Sequence, residues 1–152
     1  MNDKAEKFAN EMIVKHLPEG WTFAWNRKVR SNGTCNYTKM EIQLSRILTP
    51  HRMWDDIVES IMHEIAHAIA GFDNHHNDVW KKVFRSLGGA GNRCSSDSAS
   101  DFVPHKWEMR FGDELVKRYF RKPNKSTFNK LPNMWLTNRK SETYGKLTIV
   151  KV

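Results

Sequence analysis

Ile61-Met62-His63-Glu64-Ile65-Ala66-His67 is the stretch that decides how the rest of the chain is read. Residues four apart on an α-helix lie nearly above one another, so the imidazoles of His63 and His67 can grip one metal ion from a single face. Glu64 then flanks the ion, where a carboxylate can take a proton from water. The competing reading is an amphipathic helix that happens to carry two histidines and a glutamate. Around the motif, Trp54, Ile57, Val58, Ile61, Met62, Ile65, Ile69 and Phe72 recur at three- and four-residue steps, which predicts a long helix with one buried face. Thr49 and Pro50 supply an expected N-cap and first helical residue, Asp55 and Asp56 favour the early turns, and Gly71 marks the end.

Upstream, Phe8, Met12, Ile13 and Leu17 have helical spacing, and Pro18-Glu19-Gly20 stops the pattern. Trp21, Phe23 and Trp25 then alternate with polar or small residues, and Val29 keeps the parity. After a turn at Ser31-Asn32-Gly33, the alternation returns at Cys35-Asn36-Tyr37 and at Met40, Ile42 and Leu44, so three short antiparallel strands are expected before the central helix. Downstream, Asp73 to Asn77 is a loop. Asp78 opens a helix whose apolar positions are Val79, Trp80, Val83, Phe84 and Leu87, and Gly88-Gly89 closes it. Ala90 to Ser100 is small and polar, a loop or lid.

From Trp107 the period is two again. Trp107, Met109 and Phe111 form one expected strand, and Leu115, Lys117 and Tyr119 the return, with a helix over 113–121 as the competitor. Pro123 to Pro132 reads as loop, and Met134-Trp135-Leu136 and Leu147-Thr148-Ile149-Val150 as further strands. The net charge of +8 belongs entirely to this part: residues 105–152 hold twelve Lys and Arg against four acids, whereas residues 1–104 balance to zero. Lys117, Arg118, Arg121, Lys122 and Lys125 are the densest basic cluster, interleaved with aromatic residues, and are the expected nucleic-acid contacts. The bland alternative is a solvated face.

At 152 residues, with 39% hydrophobic and 28% charged side chains, the chain has the size and composition of a soluble globular domain. No apolar run reaches the length of a membrane span, and Met1 to Lys7 is polar, so no membrane partner and an intracellular location are expected. Cys35 and Cys94 lack partners at metal-binding spacing and are expected as free thiols.

A catalytic zinc site typically takes three protein ligands and keeps a fourth position for water. The spacing that would put a glycine three and a histidine six residues after His67 is broken by Ala70 and Asp73. His76, just before the helix carrying Trp80, is preferred over its neighbour His75, and Glu108 is a further candidate. His105, Arg93 and Tyr119 are candidates for orienting a ligand or an oxyanion.

At these residues the chain resembles the SprT-like, or Spartan-type, zinc metalloprotease domain. The resemblance rests on His63-Glu64-Ile65-Ala66-His67-Ala68, on His76-Asn77-Asp78-Val79-Trp80-Lys81, which is similar to the family's His-Gly-x-x-aromatic pattern, and on Ile42-Gln43-Leu44-Ser45 before the helix. It covers roughly residues 5–94. It implies one zinc ion per chain on His63, His67 and His76, Glu64 as catalytic acid and base, and protein substrates attached to DNA. The implied fold is α+β, a zincin-like core with a short antiparallel sheet and an active-site helix. Two departures stand out: Asn77 replaces the family's glycine, with Asn able to take a left-handed backbone, and residues 105–152 hold no cysteine for the zinc ribbon that many relatives carry. Trp107, Phe111, Trp135 and Ile149 are expected to hold that part together instead.

The expected organisation is a peptidase core over 1–94, a loop or lid over 95–104 and a small basic β-rich subdomain over 105–152, with a monomer as the default and protein substrate and DNA, single-stranded or at junctions, as partners. The alternative function is a DNA- or protein-binding module with structural zinc and weak or no proteolysis. Glu64 weighs against it, since a structural site needs no general base.

Overall fold

The computed structural model describes residues 1–90 and 102–152, so most of the expected lid, residues 95–101, together with Cys94 and Arg93, lies outside the described residues. The chain forms two compact units, Met1–Phe102 and Val103–Val152.

The first unit is built on α1 (Asn2–His16), β1 (Thr22–Asn26), β2 (Gly33–Asn36), β3 (Glu41–Ser45), α2 (Trp54–Ala70) and α3 (Asp78–Ser86). Ala5, Ala9 and Ile13, spaced by one helical turn, put the small face of α1 into the core with Leu17. Phe8 and Met12 are only partly buried beside them. Ile57, Ile61 and Ile65 of α2 repeat the four-residue step and meet Ile42 and Leu44 of β3, all fully buried. Burial of that kind contributes about 1.5–3 kcal/mol per large aliphatic side chain before entropy is set against it.

The sheet is mixed, not purely antiparallel. β2 pairs antiparallel with β3, but β1 pairs parallel with β3, in the order β1-β3-β2. β3 inserts between β1 and β2, which run antiparallel to one another without pairing. Alternation along a strand specifies its faces and leaves its neighbours open. As the central strand, β3 buries Ile42, Leu44 and Ser45. Val29 lies outside β1.

The start of α2 also differs from expectation. Thr49–His51 is a separate 3-10 turn, and α2 begins at Trp54 after Met53. Thr49 is fully buried, its hydroxyl donates to the Ser45 carbonyl at 2.7 Å, and it precedes the N-cap position, held by Met53, by a full turn, so it does not cap α2. Extended backbone at Arg52 (ψ 153) and Met53 (ψ 151) then separates turn from helix. Gly71, at φ 87, ends α2 where expected. The buried stripe is shorter than the periodicity suggests, since Ile69 and Phe72 are exposed. Val79 is likewise exposed on α3, whose buried residues are Trp80 and Phe84.

The second unit holds β4 (Trp107–Phe111), β5 (Glu114–Tyr119), α4 (Lys125–Lys130), α5 (Lys140–Thr143) and β6 (Thr148–Lys151). Its sheet is antiparallel in the order β5-β4-β6. The competing helix over 113–121 is therefore a strand, entered through Gly112 at φ 56. The expected loop at 123–132 contains α4, capped by Asn124, whose Oδ1 accepts from the Thr127 N–H. Met134 to Leu136 form no strand. The buried apolar residues are Val103, Met109 and Leu147 rather than the aromatic set expected: Trp135 is exposed and stacks on Tyr144 at 5.8 Å, and Trp107 and Phe111 are half-buried. Among the described residues, no helix is long and apolar enough to cross a membrane.

Candidate metal centre

α2 and the start of α3 bring His63, His67 and His76 together. Their Nε2 atoms lie 3.2 Å apart between His67 and His63, and 3.0 Å apart for each of the other two pairs. Among the described residues, these three form the group whose ligand atoms could share a metal ion. Tetrahedral zinc with Zn–N bonds of about 2.0–2.1 Å separates its nitrogens by about 3.3–3.4 Å, within a few tenths of an ångström of this triangle. Hydrogen bonding alone does not account for it. A neutral imidazole carries one proton, directed along a single line in the ring plane, so three Nε2 atoms cannot satisfy three mutual contacts that way. A cation held by all three lone pairs would.

The environment keeps the rings of His63 and His67 unprotonated. Burial, followed by the neighbouring His67 and His76, lowers the pKa of His63 to about 3. Burial, followed by His76 and His75, lowers that of His67 to about 4. Both rings are neutral at ordinary pH, the form that binds metal. Trp80, fully buried, forms the backing of the cluster, its ring 4.6, 5.2 and 4.5 Å from the centroids of His63, His67 and His76. The left-handed residue of this loop is His76 itself, at φ 51, which aims its ring back at α2. Asn77 has φ −77 and caps α3 by accepting from the Trp80 N–H at 3.1 Å. Its value is therefore capping rather than left-handed tolerance.

Glu64 is 9% exposed. Burial pushes its carboxyl up to about 8, against the Cys35 backbone N–H and the Lys28 ammonium, which favour the charged form. A divalent cation bound by the three imidazoles would oppose the upward shift as well. A buried carboxylate whose affinity for a proton can lie near neutrality suits proton transfer. Burial, then the Glu64 charge, raises the Cys35 thiol to about 12, so it is an unreactive thiol here.

Two contributors were not singled out as functional in the sequence. Gly33 reads there as a turn residue, yet it begins β2, and a Cβ on it would lie 2.7 Å from Glu64 Oε1 and 2.8 Å from Glu64 Cγ. Only a glycine leaves the carboxylate its place. Tyr37 donates its hydroxyl to the His67 carbonyl at 2.8 Å, tying the β2–β3 turn to the metal-facing helix. Both contacts span about thirty residues of sequence, and no local pattern announces them.

His75 is exposed and packs on Phe72 at 5.1 Å, outside the imidazole triangle. Glu108 is held by His105 at 2.7 Å and by Arg110 at 2.6 Å, which occupy both its oxygens. His105 is thereby committed to that pair, and Tyr119 belongs to β5 of the second unit. Of the basic cluster, Lys122 and Lys125 line one cavity of about 610 Å³ with Trp107, Pro123 and Phe128. Lys117 lies opposite Met109 and Arg118 opposite Glu108, so these two point to opposite faces of β5. Arg121 is exposed between them and α4.

In comparisons with known proteins, the model of the SprT-like family matches residues 2–100, which takes in α1 through α3 and every residue of the metal-facing cluster. No curated protein and no solved structure matches the chain.

Proposed function

Given that the chain belongs to the SprT-like family, we propose that it is a zinc-dependent endopeptidase with a zincin-like core, in which His63, His67 and His76 hold one zinc ion and Glu64 is the general base. The observation that carries this reading is the triangle of imidazoles, His63 and His67 neutral at ordinary pH, with a buried carboxylate following the first of them on α2. Bound zinc supplies a Lewis acid that polarises a carbonyl and acidifies water. Glu64 accepts the proton of the attacking water and delivers it to the leaving amine as the peptide bond breaks. The Cys35 N–H and the bare Cα of Gly33 hold the carboxylate in position while this happens. Tyr37 fixes the last turn of α2 through the His67 carbonyl.

Association with DNA is part of the same proposal. Its support is the +8 charge of residues 105–152 and the cavity where Lys122 and Lys125 flank Trp107 and Phe128, with Lys122 Nζ 5.7 Å from the Trp107 ring. An aromatic face beside lysines suits an unpaired base and its phosphate. Substrates are then proteins bound to DNA, and the site of action is where such complexes form.

Metal analysis together with digestion of a DNA-binding protein, with and without DNA, tests the reading. We expect one zinc per chain and cleavage. Glu64→Gln should keep zinc and fold and lose activity by about 10²–10⁴-fold, the usual contribution of a general base. An active Glu64→Gln variant would overturn the mechanism, and a chain without stoichiometric metal would overturn the zinc assignment.

A further inference from the structure

Holding a metal and moving a proton leave one feature of the centre without a role. A cavity of about 250 Å³ opens against Glu64 and His67, bordered by Gly33 of β2 and by Tyr37, Phe72 and His75. Phe72 is 63% exposed and stands outside the two apolar clusters packed around Ile61 and around Trp80. It nonetheless makes edge contacts with Tyr37 at 5.6 Å and with His75 at 5.1 Å, so the three rings form one continuous aromatic wall. The Tyr37 end of the wall is fixed by its hydrogen bond to the His67 carbonyl.

Size and position limit what can enter. The space falls below the roughly 300–1,000 Å³ of sites that enclose a whole small molecule, so it suits a single side chain. Its wall includes the carboxylate that must reach the reacting atoms. An extended chain advances about 3.3–3.6 Å per residue, so only a residue flanking the bond under attack could place its side chain there. Aromatic walls and a buried carboxyl favour an apolar occupant: an acidic side chain would meet Glu64, and an ammonium group would lose its water for a carboxylate already accepting from the Cys35 N–H.

We propose that this cavity is a specificity pocket that receives an apolar side chain, of leucine to phenylalanine size, from an extended peptide lying across the metal centre. The substrates are thus unfolded or extended segments with such a residue beside the bond to be cut. This rests on the peptidase reading, and the test separates the two.

Binding of short labelled peptides, Gly-rich except for one central Leu, Phe, Asp or Lys and kept uncut by ketomethylene groups in place of the amides flanking that residue, is measured on the zinc-loaded wild type, so that Glu64 stays in the pocket wall, and cleavage sites in an unfolded protein are mapped with the same protein. The pocket predicts roughly 10–100-fold tighter binding of the Leu and Phe peptides than of the Asp peptide, and cuts clustered beside apolar residues. Phe72→Ser, at an exposed position, should keep fold and zinc and reduce that discrimination about tenfold, whereas Phe72→Leu should restore most of it. Equal binding of all four peptides, preference for Lys, or discrimination that Phe72→Ser leaves intact would overturn the pocket. Cleavage without any side-chain preference would overturn the pocket and leave the peptidase standing. Phe72-dependent binding in a protein whose wild type cuts nothing would do the reverse.

Discussion

The two units solve the problem of holding polar groups in opposite ways. In Met1–Phe102, nine buried residues from Ala5 to Ile65 form one continuous aliphatic cluster, and the net charge is zero. That core is large enough to carry desolvated histidines and a carboxyl group at its edge. In Val103–Val152, the buried apolar residues among those described are Val103, Met109 and Leu147, and the net charge is +8. Order there leans on polar contacts: Glu108 between His105 and Arg110, and Arg139 bridging Glu114 at 2.7 Å and Glu142 at 3.1 Å. The Arg139 pairs are exposed, and such pairs fix geometry more than they add stability. The larger core places its chemistry inside, whereas the smaller one presents charge and aromatic rings to solvent.

Truncating each core gives the strongest contrast. Ile61→Ala opens a cavity among fully buried neighbours and should cost about 3–5 kcal/mol, while Leu147→Ala should cost about 2 kcal/mol or less because its sparse surroundings can close in. Denaturant unfolding of both variants checks the difference, and equal losses would break the comparison. The next effect lies at the metal. His76→Ala removes one of three proposed ligands and should weaken zinc binding by more than about 100-fold, whereas His75→Ala should change it little. Zinc affinities, together with the rise in melting temperature on adding zinc, report both. Selective loss in His75→Ala would move the third ligand.

The contrast also explains what could be read from the sequence. Ile57, Ile61 and Ile65 announce α2 because their period is local, and the His63 and His67 spacing rides on that helix. His76 could be preferred because it stands just before α3, with Trp80 four residues on. Pairing was not legible: the alternation of Phe23 and Trp25 is the same whether β1 meets β2 or β3, and the structure chooses β3 in parallel. Gly33 and Tyr37 escaped because their contacts to Glu64 and His67 cross about thirty residues. In the second unit few residues are buried, so periodicity has little to record. Pro123 to Pro132 hid α4, and Trp135 suggested a core position it does not occupy.

A smaller effect appears in the pH dependence of the metal-free protein. His63 and His67 have folded pKa values lowered to about 3 and about 4, so below the unfolded value of 6.5 the unfolded chain binds more protons. Their contribution to stability is present above pH 6.5 and is lost as pH falls through 4 to 3. Glu64 has the opposite sign. Raised from 4.5 to about 8, it favours the folded state at low pH, and that contribution is lost as pH rises through 8. The metal-free first unit should therefore be most stable near pH 6.5, with Glu64→Gln flattening the decline between 6.5 and 8 and steepening the rise between 4.5 and 6.5, where the two histidines then act unopposed. Thermal unfolding in chelator across this range checks it. A decline above pH 6.5 that persists in Glu64→Gln would remove Glu64 as its source.

The finest discrimination concerns which cations of the second unit meet nucleic acid. Lys122 and Lys125 line the cavity with Trp107 and Phe128, and the Tyr119–Trp107–Lys151 row crosses the same face of the sheet. Arg118 projects from the other face, opposite Glu108. Each phosphate contact on a single strand contributes about −0.7 to the slope of log K against log salt. If the cavity face is the contact, the double variant Lys122→Ser with Lys125→Ser should make the slope shallower by about 1.4, and Arg118→Ser should leave it nearly unchanged. Trp107→Leu should weaken binding to single strands by about 1–3 kcal/mol, the usual loss of one stacked base, without altering the slope, because stacking releases no counterions. Anisotropy titrations with a labelled oligothymidine across a salt series separate the faces. An effect of Arg118→Ser equal to that of the lysine pair would mean that positive charge alone, spread over both faces, attracts the strand, and the unit would then be a solubilising and loosely attractive surface rather than a built nucleotide site.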